Sequence, residues 1–309
     1  MRAIVFDHFG GPEVLREAEV AEPLLGPDSV MVRIEAAGVN PVDWKIRQGY
    51  LSTRFEHIFP VVPGWDLAGV VEQVGPAVVG LAAGDRVVGY ARMDVVEHGT
   101  YAERVAVPAD ALAPAPTSVD MATAAALPLA GLTAYQVVVG ALAVAEGDVV
   151  LVHAGAGGVG HIAVQLARAR GARVLATASR ANHAFLEQLG AEPLDYGEEL
   201  PEAVKLAAPD GVTAVADLVG GDALMVSPPL LRQGGRLASV TDASTVLTFG
   251  GRYVFVRRDP AQLAELSAMV DSGRLHVEMA DVMDLSGAAE AHRRLESGHG
   301  RGKISLRVA

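Results

Sequence analysis

The feature that most restricts the fold is a glycine-rich segment at residues 155–160, with the sequence Gly-Ala-Gly-Gly-Val-Gly. It fits the G-x-G-x-x-G pattern, and it lies directly after the apolar run 149–153 and directly before apolar residues at helical spacing. A glycine-rich structural turn is the alternative interpretation. A strand, a tight turn and a helix in this order favour a dinucleotide-binding loop in a parallel sheet.

Each glycine of this loop has its own physical role in such a site. Gly155 permits the tight turn, Gly157 lets a pyrophosphate approach the backbone, and Gly160 lets the helix pack on the strand. The helix N-terminus then offers free N–H groups and the positive end of its dipole to the phosphates. We therefore expect a dinucleotide here, with Gly155 and Gly157 among its contacts.

The next predicted strand, 173–178, indicates which dinucleotide binds. An NAD site usually carries Asp or Glu at the end of this strand, where the carboxylate accepts from the ribose 2′-hydroxyl. No acidic residue occurs between 173 and 186, and the strand is followed by Ser179, Arg180 and His183. Arginine suits a 2′-phosphate. The sequence therefore predicts that NADPH binds better than NADH, although Arg180 alone is also compatible with a solvated charge at a helix start.

The rest of the chain shows two different patterns. Residues 1 to about 115 contain short Val/Ile runs between Gly, Pro and Asp turns, which predicts a compact, barrel-like β domain. From Asp148 onward strands alternate with helices, which predicts a parallel sheet. The strands predicted there are 149–153, 173–178, 193–195, 214–218, 236–240 and 253–256. The other predicted elements are helices at 118–127 (with Ser118 as N-cap), 132–143, 260–271 and 288–295, and a strand at 304–308.

Composition excludes several classes of site and partner. The 309 residues contain no cysteine, which excludes disulfides, a thiolate nucleophile and a zinc site built on cysteine. The nine histidines are scattered, so no metal site is predicted. A net charge of −12 disfavours nucleic acid and anionic membranes as partners. With no signal-peptide pattern and no apolar run long enough to span a bilayer, we expect a cytoplasmic protein.

Further motifs are spread over nearly the whole chain. They are AGVNPVDWK at 37–45, PGWDLAG at 63–69, GDRV at 84–87, GTYAE at 99–103, AGLTA at 130–134, FLEQLGA at 185–191 and GKI at 302–304. Together with the glycine loop, they resemble the medium-chain dehydrogenase/reductase superfamily, in its zinc-free quinone oxidoreductase (zeta-crystallin-like) branch.

This resemblance implies both a fold and a site. The fold is α/β, with a Rossmann parallel-sheet domain at 118–256 and a GroES-like β-barrel domain built from 1–117 and 257–309. Nicotinamide and substrate are expected in a cleft between the domains. The implied contacts are Asn40 and Thr133 near the nicotinamide, Gly157, Gly158 and Val159 at the pyrophosphate, Ser179, Arg180 and Tyr196 at the adenosine phosphate, and Val240, Phe255 and Val256 on the nicotinamide side.

The main departure from zinc-dependent relatives concerns mechanism. Asn40 stands where those relatives carry a ligand cysteine, and Gly64-Trp65-Asp66 stands where they carry Gly-His-Glu. Without this Lewis acid, hydride transfer to an electron-poor acceptor is favoured. Asn40 and Tyr50 are the catalytic candidates, because either could stabilise the charge that develops on an acceptor oxygen. Alternatively, Asn40 orients the cofactor or caps a turn, Tyr50 is a packing residue, and Asp43 is an N-cap.

The predicted function is that of an NADPH-dependent, zinc-independent oxidoreductase acting on a small-molecule quinone or enone. An enoyl reductase dedicated to one pathway is the enzymatic alternative, and a dinucleotide-binding sensor or structural protein without turnover is the alternative of another class. The apolar run 253–256 predicts an exposed edge strand. We therefore expect a homodimer in which this strand pairs with its own copy about a two-fold axis.

Overall fold

The computed structural model describes residues 1–298 and 300–308. The chain divides into two compact units. Unit 1 contains Met1–Leu129, Arg258–Gly273 and the described residues from Met279 onward, and unit 2 contains Ala130–Arg257 and Arg274–Glu278. Each unit has its own hydrophobic core.

Strands dominate unit 1, and strands alternate with helices in unit 2. The strands, in chain order, are β1 (Arg2–Val5), β2 (Arg16–Glu19), β3 (Ser29–Val39), β4 (Glu56–Val62), β5 (Asp66–Val74), β6 (Arg86–Tyr90), β7 (Val95–His98), β8 (Arg104–Pro108), β9 (Leu112–Pro114), β10 (Val149–Val152), β11 (Arg173–Thr177), β12 (Glu192–Leu194), β13 (Val212–Asp217), β14 (Leu231–Ser239), β15 (Arg252–Tyr253), β16 (Met279–Asp284) and β17 (Lys303–Arg307). The α-helices are α1 (Pro41–Arg47), α2 (Met121–Ala125), α3 (Pro128–Tyr135), α4 (Gly160–Ala169), α5 (His183–Gln188), α6 (Leu200–Ala207), α7 (Gly221–Met225), α8 (Ala243–Thr248), α9 (Pro260–Asp271) and α10 (Ala288–Glu296). Short 3-10 helices occur at Pro12–Val14, Ala109–Ala111, Arg180–Asn182, Pro228–Leu230 and Leu285–Gly287, and a π-helix follows α3 at Gln136–Ala141. Among the described residues, no helix is long and apolar enough to cross a bilayer.

The sheet of unit 2 is parallel throughout. Within the described residues it has six strands in the order β12-β11-β10-β13-β14-β15. Every residue of β13 is buried, as expected for a strand covered on both faces. Counted from β10, the order is 3-2-1-4-5-6, which is that of a Rossmann fold. The predicted α/β class and parallel sheet are therefore confirmed.

The main sheet of unit 1 is mostly antiparallel. Over the described residues its seven strands follow the order β16-β17-β3-β5-β6-β9, with β8 pairing with β3. The long strand β3 lies at the centre and pairs with β5, β8 and β17. This pairing joins the C-terminal strand β17 to a strand from the start of the chain, so both ends of the chain build unit 1.

The helix predicted at 118–127 with Ser118 as its N-cap is corrected by the structure. Helix α2 begins further along the chain, and its N-cap is Asp120, whose side chain accepts from the Thr123 N–H at 2.8 Å. The Ser118 N–H instead donates to Asp271 Oδ1 at 2.8 Å. Ser118 therefore anchors helix α9 rather than beginning a helix of its own.

The edge strand of unit 2 is shorter than the predicted run 253–256. Strand β15 ends at Tyr253, although the Val254 N–H still donates to β14 at 2.9 Å. Beyond β15, the Gln136 side chain forms the two backbone hydrogen bonds to Arg257 that a neighbouring strand would form. Its Nε2 donates to the Arg257 carbonyl at 2.9 Å, and its Oε1 accepts from the Arg257 N–H at 3.0 Å.

The two compact units and the two predicted domains differ at one boundary. The sequence assigns 118–129 to the domain with the parallel sheet, whereas α2 in this segment packs on β3 and β5 in unit 1. The division into domains at 117/118 and 256/257 stays a prediction.

Candidate functional site

The glycine-rich loop joins β10 to α4 at the point where the strand order of unit 2 reverses. Strand β10 pairs with β11 on one side and with β13 on the other. In open α/β sheets, ligands bind outside the carboxyl ends of the strands at such a switch point. The loop predicted from sequence therefore lies where a dinucleotide binds in sheets of this order.

Close packing of the backbone requires glycine at both ends of this loop. A Cβ built on Gly155 would lie 2.7 Å from Ala176 Cβ, and one built on Gly160 would lie 2.0 Å from the Ala154 carbonyl oxygen. A Cβ on Gly157 would lie 3.2 Å from the same oxygen. Gly160 thus lets α4 pack on the strand, as the sequence argument expected, and Gly155 lets the loop lie against Ala176 of β11.

The loop is also tied to the neighbouring strand. The Ala154 N–H donates to Thr177 Oγ1 at 3.0 Å, and the Gly155 N–H donates to the Thr177 carbonyl at 2.8 Å. Helix α4 begins at Gly160, so the loop lies at a helix N-terminus, where the N–H groups of His161 and Ala163 donate to the carbonyls of Gly157 and Val159 at 3.1 and 3.0 Å. A helix N-terminus at this place suits the pyrophosphate of a dinucleotide.

The residues predicted at the adenosine phosphate lie at the ends of β11 and β12. The Ala178 N–H donates to the Leu194 carbonyl at 3.1 Å, so the carboxyl ends of these strands meet. Ser179, Arg180 and His183 follow β11, and the exposed Tyr196 follows β12.

An acidic side chain contacts two of these predicted residues. Arg180 Nε donates to Asp195 Oδ2 at 2.9 Å, and His183 Nε2 lies 3.3 Å from Asp195 Oδ1. The hydrogen bond to Asp195 raises the pKa of Arg180. Asp195 was not among the predicted site residues, although Tyr196, which follows the same strand, was predicted from the resemblance.

Asp217 organises the carboxyl ends of β13 and β14. It is fully buried, and its Oδ1 accepts from the N–H groups of Val219 at 3.1 Å and Gly220 at 2.9 Å. Its Oδ2 accepts from Ser239 Oγ at 2.6 Å. The predicted contact Val240 lies directly after Ser239, and its N–H donates to the Asp217 carbonyl at 3.2 Å.

The other residues predicted on the nicotinamide side are distributed over unit 2. Thr133 is buried in α3, and its Oγ1 lacks a hydrogen-bond partner among the described residues. Phe255 is 38% exposed and Val256 is half-buried, and both follow β15. Such an unpartnered buried hydroxyl and an exposed aromatic ring are compatible with a ligand in unit 2.

Asn40, in unit 1, lies in a buried polar cluster. Its Nδ2 donates to Asp66 Oδ2 at 2.8 Å, and its Oδ1 accepts from Lys303 Nζ. Lys303 also donates to the Val39 carbonyl at 2.9 Å. At most 4% of Asn40, Asp66 or Lys303 is exposed. Asn40 stands at the N-cap position of α1, and Asp43, expected to be an N-cap, is instead its third residue and accepts from the Asn40 N–H at 2.8 Å.

Burial shifts the pKa values of the charged groups in this cluster. It raises the pKa of Asp43 to about 7 and that of Asp66 to about 6, because a carboxylate without water is unfavourable. Burial also lowers the pKa of Lys303. The mutual attraction between the lysine and the two acids opposes all three shifts.

A hydrogen-bonded chain extends from Asp43 toward the surface of unit 1. Arg47 Nη1 donates to His292 Nδ1 at 3.1 Å, and because a guanidinium only donates, neutral His292 carries its proton on Nε2. That nitrogen lies 3.3 Å from Tyr101 Oη, which donates to Asp43 Oδ2 at 3.1 Å. Burial lowers the pKa of His292 to about 3, which keeps it neutral. Arg47 also donates to the partly exposed Glu296.

Tyr50, the second catalytic candidate, is outside this cluster. It is 66% exposed, and its ring packs edge-on against Trp44 with centroids 6.0 Å apart. Unit 1 also contains a mostly apolar cleft whose lining includes Ile46, Trp65 and Met93. The sequence analysis quoted Lys303, Asp66 and Tyr101 only as parts of motifs, and it did not single out His292 or Arg47. Lysine at the start of an apolar strand was the one signal that could have indicated a buried charge.

The donor set around Asn40 does not fit a zinc ion. Its amide oxygen accepts from an ammonium group, and the nearest acid is hydrogen-bonded to the amide nitrogen. Among the described residues, no group of three or more His, Cys, Asp or Glu side chains is arranged to hold a metal ion.

Comparison with protein-family models gives two matches. Residues 26–117 match the alcohol dehydrogenase GroES-like domain, and residues 189–306 match the zinc-binding dehydrogenase domain. The first match lies in the β-rich part of unit 1, so the predicted GroES-like domain is confirmed.

Individual proteins are similar over the whole chain. An NADPH-dependent alkenal/one oxidoreductase from Arabidopsis thaliana chloroplasts is 36% identical over 98% of this chain and 78% of its own. The quinone oxidoreductase of Coxiella burnetii has a TM-score of 0.91 and 36% identity, and the match covers 100% of this chain and 99% of that one. A mycobacterial protein in complex with NADPH has a TM-score of 0.86 and 33% identity, with both chains fully covered (100%).

Proposed function

Because the chain belongs to the medium-chain dehydrogenase/reductase superfamily, in its quinone oxidoreductase branch, we propose that it uses NADPH to reduce quinones or α,β-unsaturated carbonyl compounds. The observation that carries this proposal is the glycine loop at the reversal of a 3-2-1-4-5-6 sheet in a chain of this family. Two of the proteins compared above are named as an alkenal/one oxidoreductase and a quinone oxidoreductase.

Bound NADPH supplies the hydride, and unit 2 supplies the groups that hold the cofactor. The glycine loop would hold the pyrophosphate, and the adenosine phosphate would be held by Ser179, Arg180, His183 and Tyr196. Asp217 fixes the backbone that carries Val240, because the Ser239 hydroxyl donates to its carboxylate and the Val240 N–H donates to its carbonyl. The protein contributes mainly position and preorganised dipoles, because a conjugated acceptor is already electron-poor.

We also propose that the reaction needs no metal. The cluster of Asn40, Asp66 and Lys303 supports this. Asn40 stands where zinc-dependent relatives carry a zinc ligand, and its side-chain oxygen accepts a hydrogen bond from the buried Lys303 ammonium group. The Asn40 amide uses its oxygen and one N–H inside the cluster, which leaves a single N–H for any other partner. Tyr50 is therefore the stronger candidate to donate a hydrogen bond to the acceptor oxygen.

A turnover assay tests these proposals. NADPH oxidation is followed at fixed protein concentration with a panel of quinones, alkenals, alkenones and simple aldehydes. We expect turnover with the conjugated acceptors, none with the aldehydes, and no loss after dialysis against a strong chelator. Turnover restricted to one enoyl substrate would favour a pathway-specific enoyl reductase. NADPH binding without turnover on any acceptor would contradict the proposed function, and loss on chelation with recovery on zinc addition would contradict metal independence.

The contribution of Tyr50 is measured in the same assay with Tyr50→Phe, which keeps the ring that packs on Trp44. Loss of one hydrogen bond to a developing oxyanion lowers kcat by about 10²-fold or more. We expect kcat to fall while the Kd for NADPH stays the same. An unchanged kcat would assign Tyr50 to packing, and protonation of the product would then come from water.

We further propose a homodimer formed through the open edge of the unit 2 sheet. Strand β15 ends the strand order, so its outer side is available for pairing with a second copy. The cytoplasmic location expected from the sequence stays a prediction, and the Arabidopsis relative is chloroplastic.

A further inference from the structure

We propose that Asp195 sets the preference between NADPH and NADH by competing with the cofactor's 2′-phosphate for Arg180 and His183. The inference rests on the proposed use of a nicotinamide dinucleotide. The Asp195 carboxylate contacts one of these side chains through each oxygen, with 2.9 Å between Oδ2 and Arg180 Nε and 3.3 Å between Oδ1 and His183 Nε2. It therefore places an internal anion against two of the side chains that the sequence analysis assigned to the phosphate.

The register of the sheet explains why an acid stands here. Strands β11 and β12 are parallel, with Thr177 paired to Leu194, so the residues that follow each strand emerge side by side. In Rossmann sheets the adenosine ribose lies at the end of the second strand, which is β11 here. No acidic residue follows β11, and Asp195, which follows β12, lies at this place instead.

The carboxylate has opposite consequences for the two cofactors. A 2′-phosphate must displace it from Arg180 and then lie near it, and repulsion between two anions weakens binding. A free 2′-hydroxyl can instead donate to the same carboxylate, as it does to the acid of an NAD site. Asp195 therefore weakens the binding of NADPH and strengthens the binding of NADH. It reduces the preference for NADPH that Arg180 and His183 would give in its absence.

The side chains of Arg180 and Asp195 are partly exposed, which makes this competition possible. The side chain of Arg180 is 86% exposed and that of Asp195 is 44% exposed, so the ion pair is accessible to a ligand from solvent. Exposed ion pairs contribute little to stability. Substitution at these positions is therefore expected to leave the fold intact and to act on cofactor binding.

The experiment measures the Kd values of NADPH and NADH by fluorescence titration of the full chain at low ionic strength. In Asp195→Asn we expect the Kd for NADPH to fall about fivefold and that for NADH to rise about threefold, in keeping with the strength of exposed charge pairs. Glu198→Gln removes the same charge at an exposed position three residues away and serves as the matched control. Arg180→Met should raise the Kd for NADPH and leave that for NADH within about twofold.

Fragments without nicotinamide separate this inference from the proposed reaction. The same variants are titrated with 2′,5′-ADP and with 5′-ADP, which carry only the adenosine end of the cofactor. We expect Asp195→Asn to tighten 2′,5′-ADP selectively, and added salt to reduce the gain. An unchanged ratio of the two Kd values, or the same change in Glu198→Gln, would overturn the role of Asp195. Absence of turnover in the assay above would instead overturn the proposed function and leave these titrations valid.

Discussion

Lys303 is the residue whose environment departs furthest from what its side chain normally tolerates. A buried ammonium is costly unless it is paired and hydrogen-bonded. Here the Asn40 side-chain oxygen and the Val39 carbonyl accept hydrogen bonds from it, and the charges of Asp43 and Asp66 attract it. The compensation is mutual, because the same two acids would otherwise be buried without a cation.

Replacing Lys303 tests that mutual compensation. In Lys303→Met the two acids lose their cation, and breaking a buried pair of this kind costs about 3–5 kcal/mol. We expect the free energy of unfolding in urea to fall by that amount, and to recover in part when Asp66→Asn is added. Lys205→Met, at an exposed position of α6, is the control. Equal stability of the two lysine variants would show that the cluster is not held by this charge.

Asp43 should make stability depend on pH in an unusual direction. The pKa of Asp43 is raised from 3.8 to about 7 on folding, so between these values the folded chain holds a proton that the unfolded chain has lost. The free energy of unfolding therefore falls as pH rises through this window, by at most about 1.4 kcal/mol per pH unit for one group. Below and above the window the slope from Asp43 disappears.

Urea unfolding of wild type and Asp43→Asn at several pH values measures this contribution. The variant cannot titrate at this position, so the stability of wild type relative to it should decline from about pH 4 to pH 7. Asp210→Asn is the control, because it makes the same substitution at an exposed aspartate in unit 2. A constant difference between wild type and Asp43→Asn across the window would be incompatible with a proton held on Asp43.

At the scale of elements, local patterns were the reliable guide. The glycine loop, the strand before it and the helix after it were predicted because their signals lie in one continuous segment, residues 149–169. Asp195 could not be found that way, since only the pairing of β11 with β12 brings it beside Arg180. The helix at 118–127 failed for a related reason, because Ser118 bonds Asp271 far along the chain.

The packing of α4 on its sheet gives a prediction for the loop. Gly160→Ala would place a methyl group 2.0 Å from the Ala154 carbonyl oxygen, which forces the helix away from the strand. We expect a loss of about 3 kcal/mol in stability and weaker NADPH binding. Gly140→Ala, where a Cβ would meet nothing within 4 Å, should change stability by less than about 0.5 kcal/mol. Thermal unfolding and cofactor titration measure both, and equal behaviour of the two variants would contradict the packing argument.

At the scale of the whole molecule, the absence of cysteine and the order of the short motifs along the chain were sufficient to predict the family and the fold class. They could not show that Asn40, Asp66 and Lys303 form one cluster, because these residues are joined only by the pairing of β17 with β3 and of β3 with β5. Distant segments that meet in a sheet leave no local signal in the sequence.

Assembly is the remaining prediction at this scale, and a pair of substitutions at Tyr253 tests it. The Val254 N–H donates inward to β14, and N–H groups alternate in direction along a strand, so the Tyr253 N–H faces the open edge. Tyr253→Pro removes this donor, whereas Tyr253→Ala removes the same ring and keeps the donor. If β15 pairs with its own copy, light scattering at micromolar concentration should give about twice 32.0 kDa for wild type and Tyr253→Ala, and a monomer for Tyr253→Pro. A wild-type mass near 32.0 kDa that does not change with concentration would rule out the dimer, and a dimer that persists in Tyr253→Pro would place its interface elsewhere.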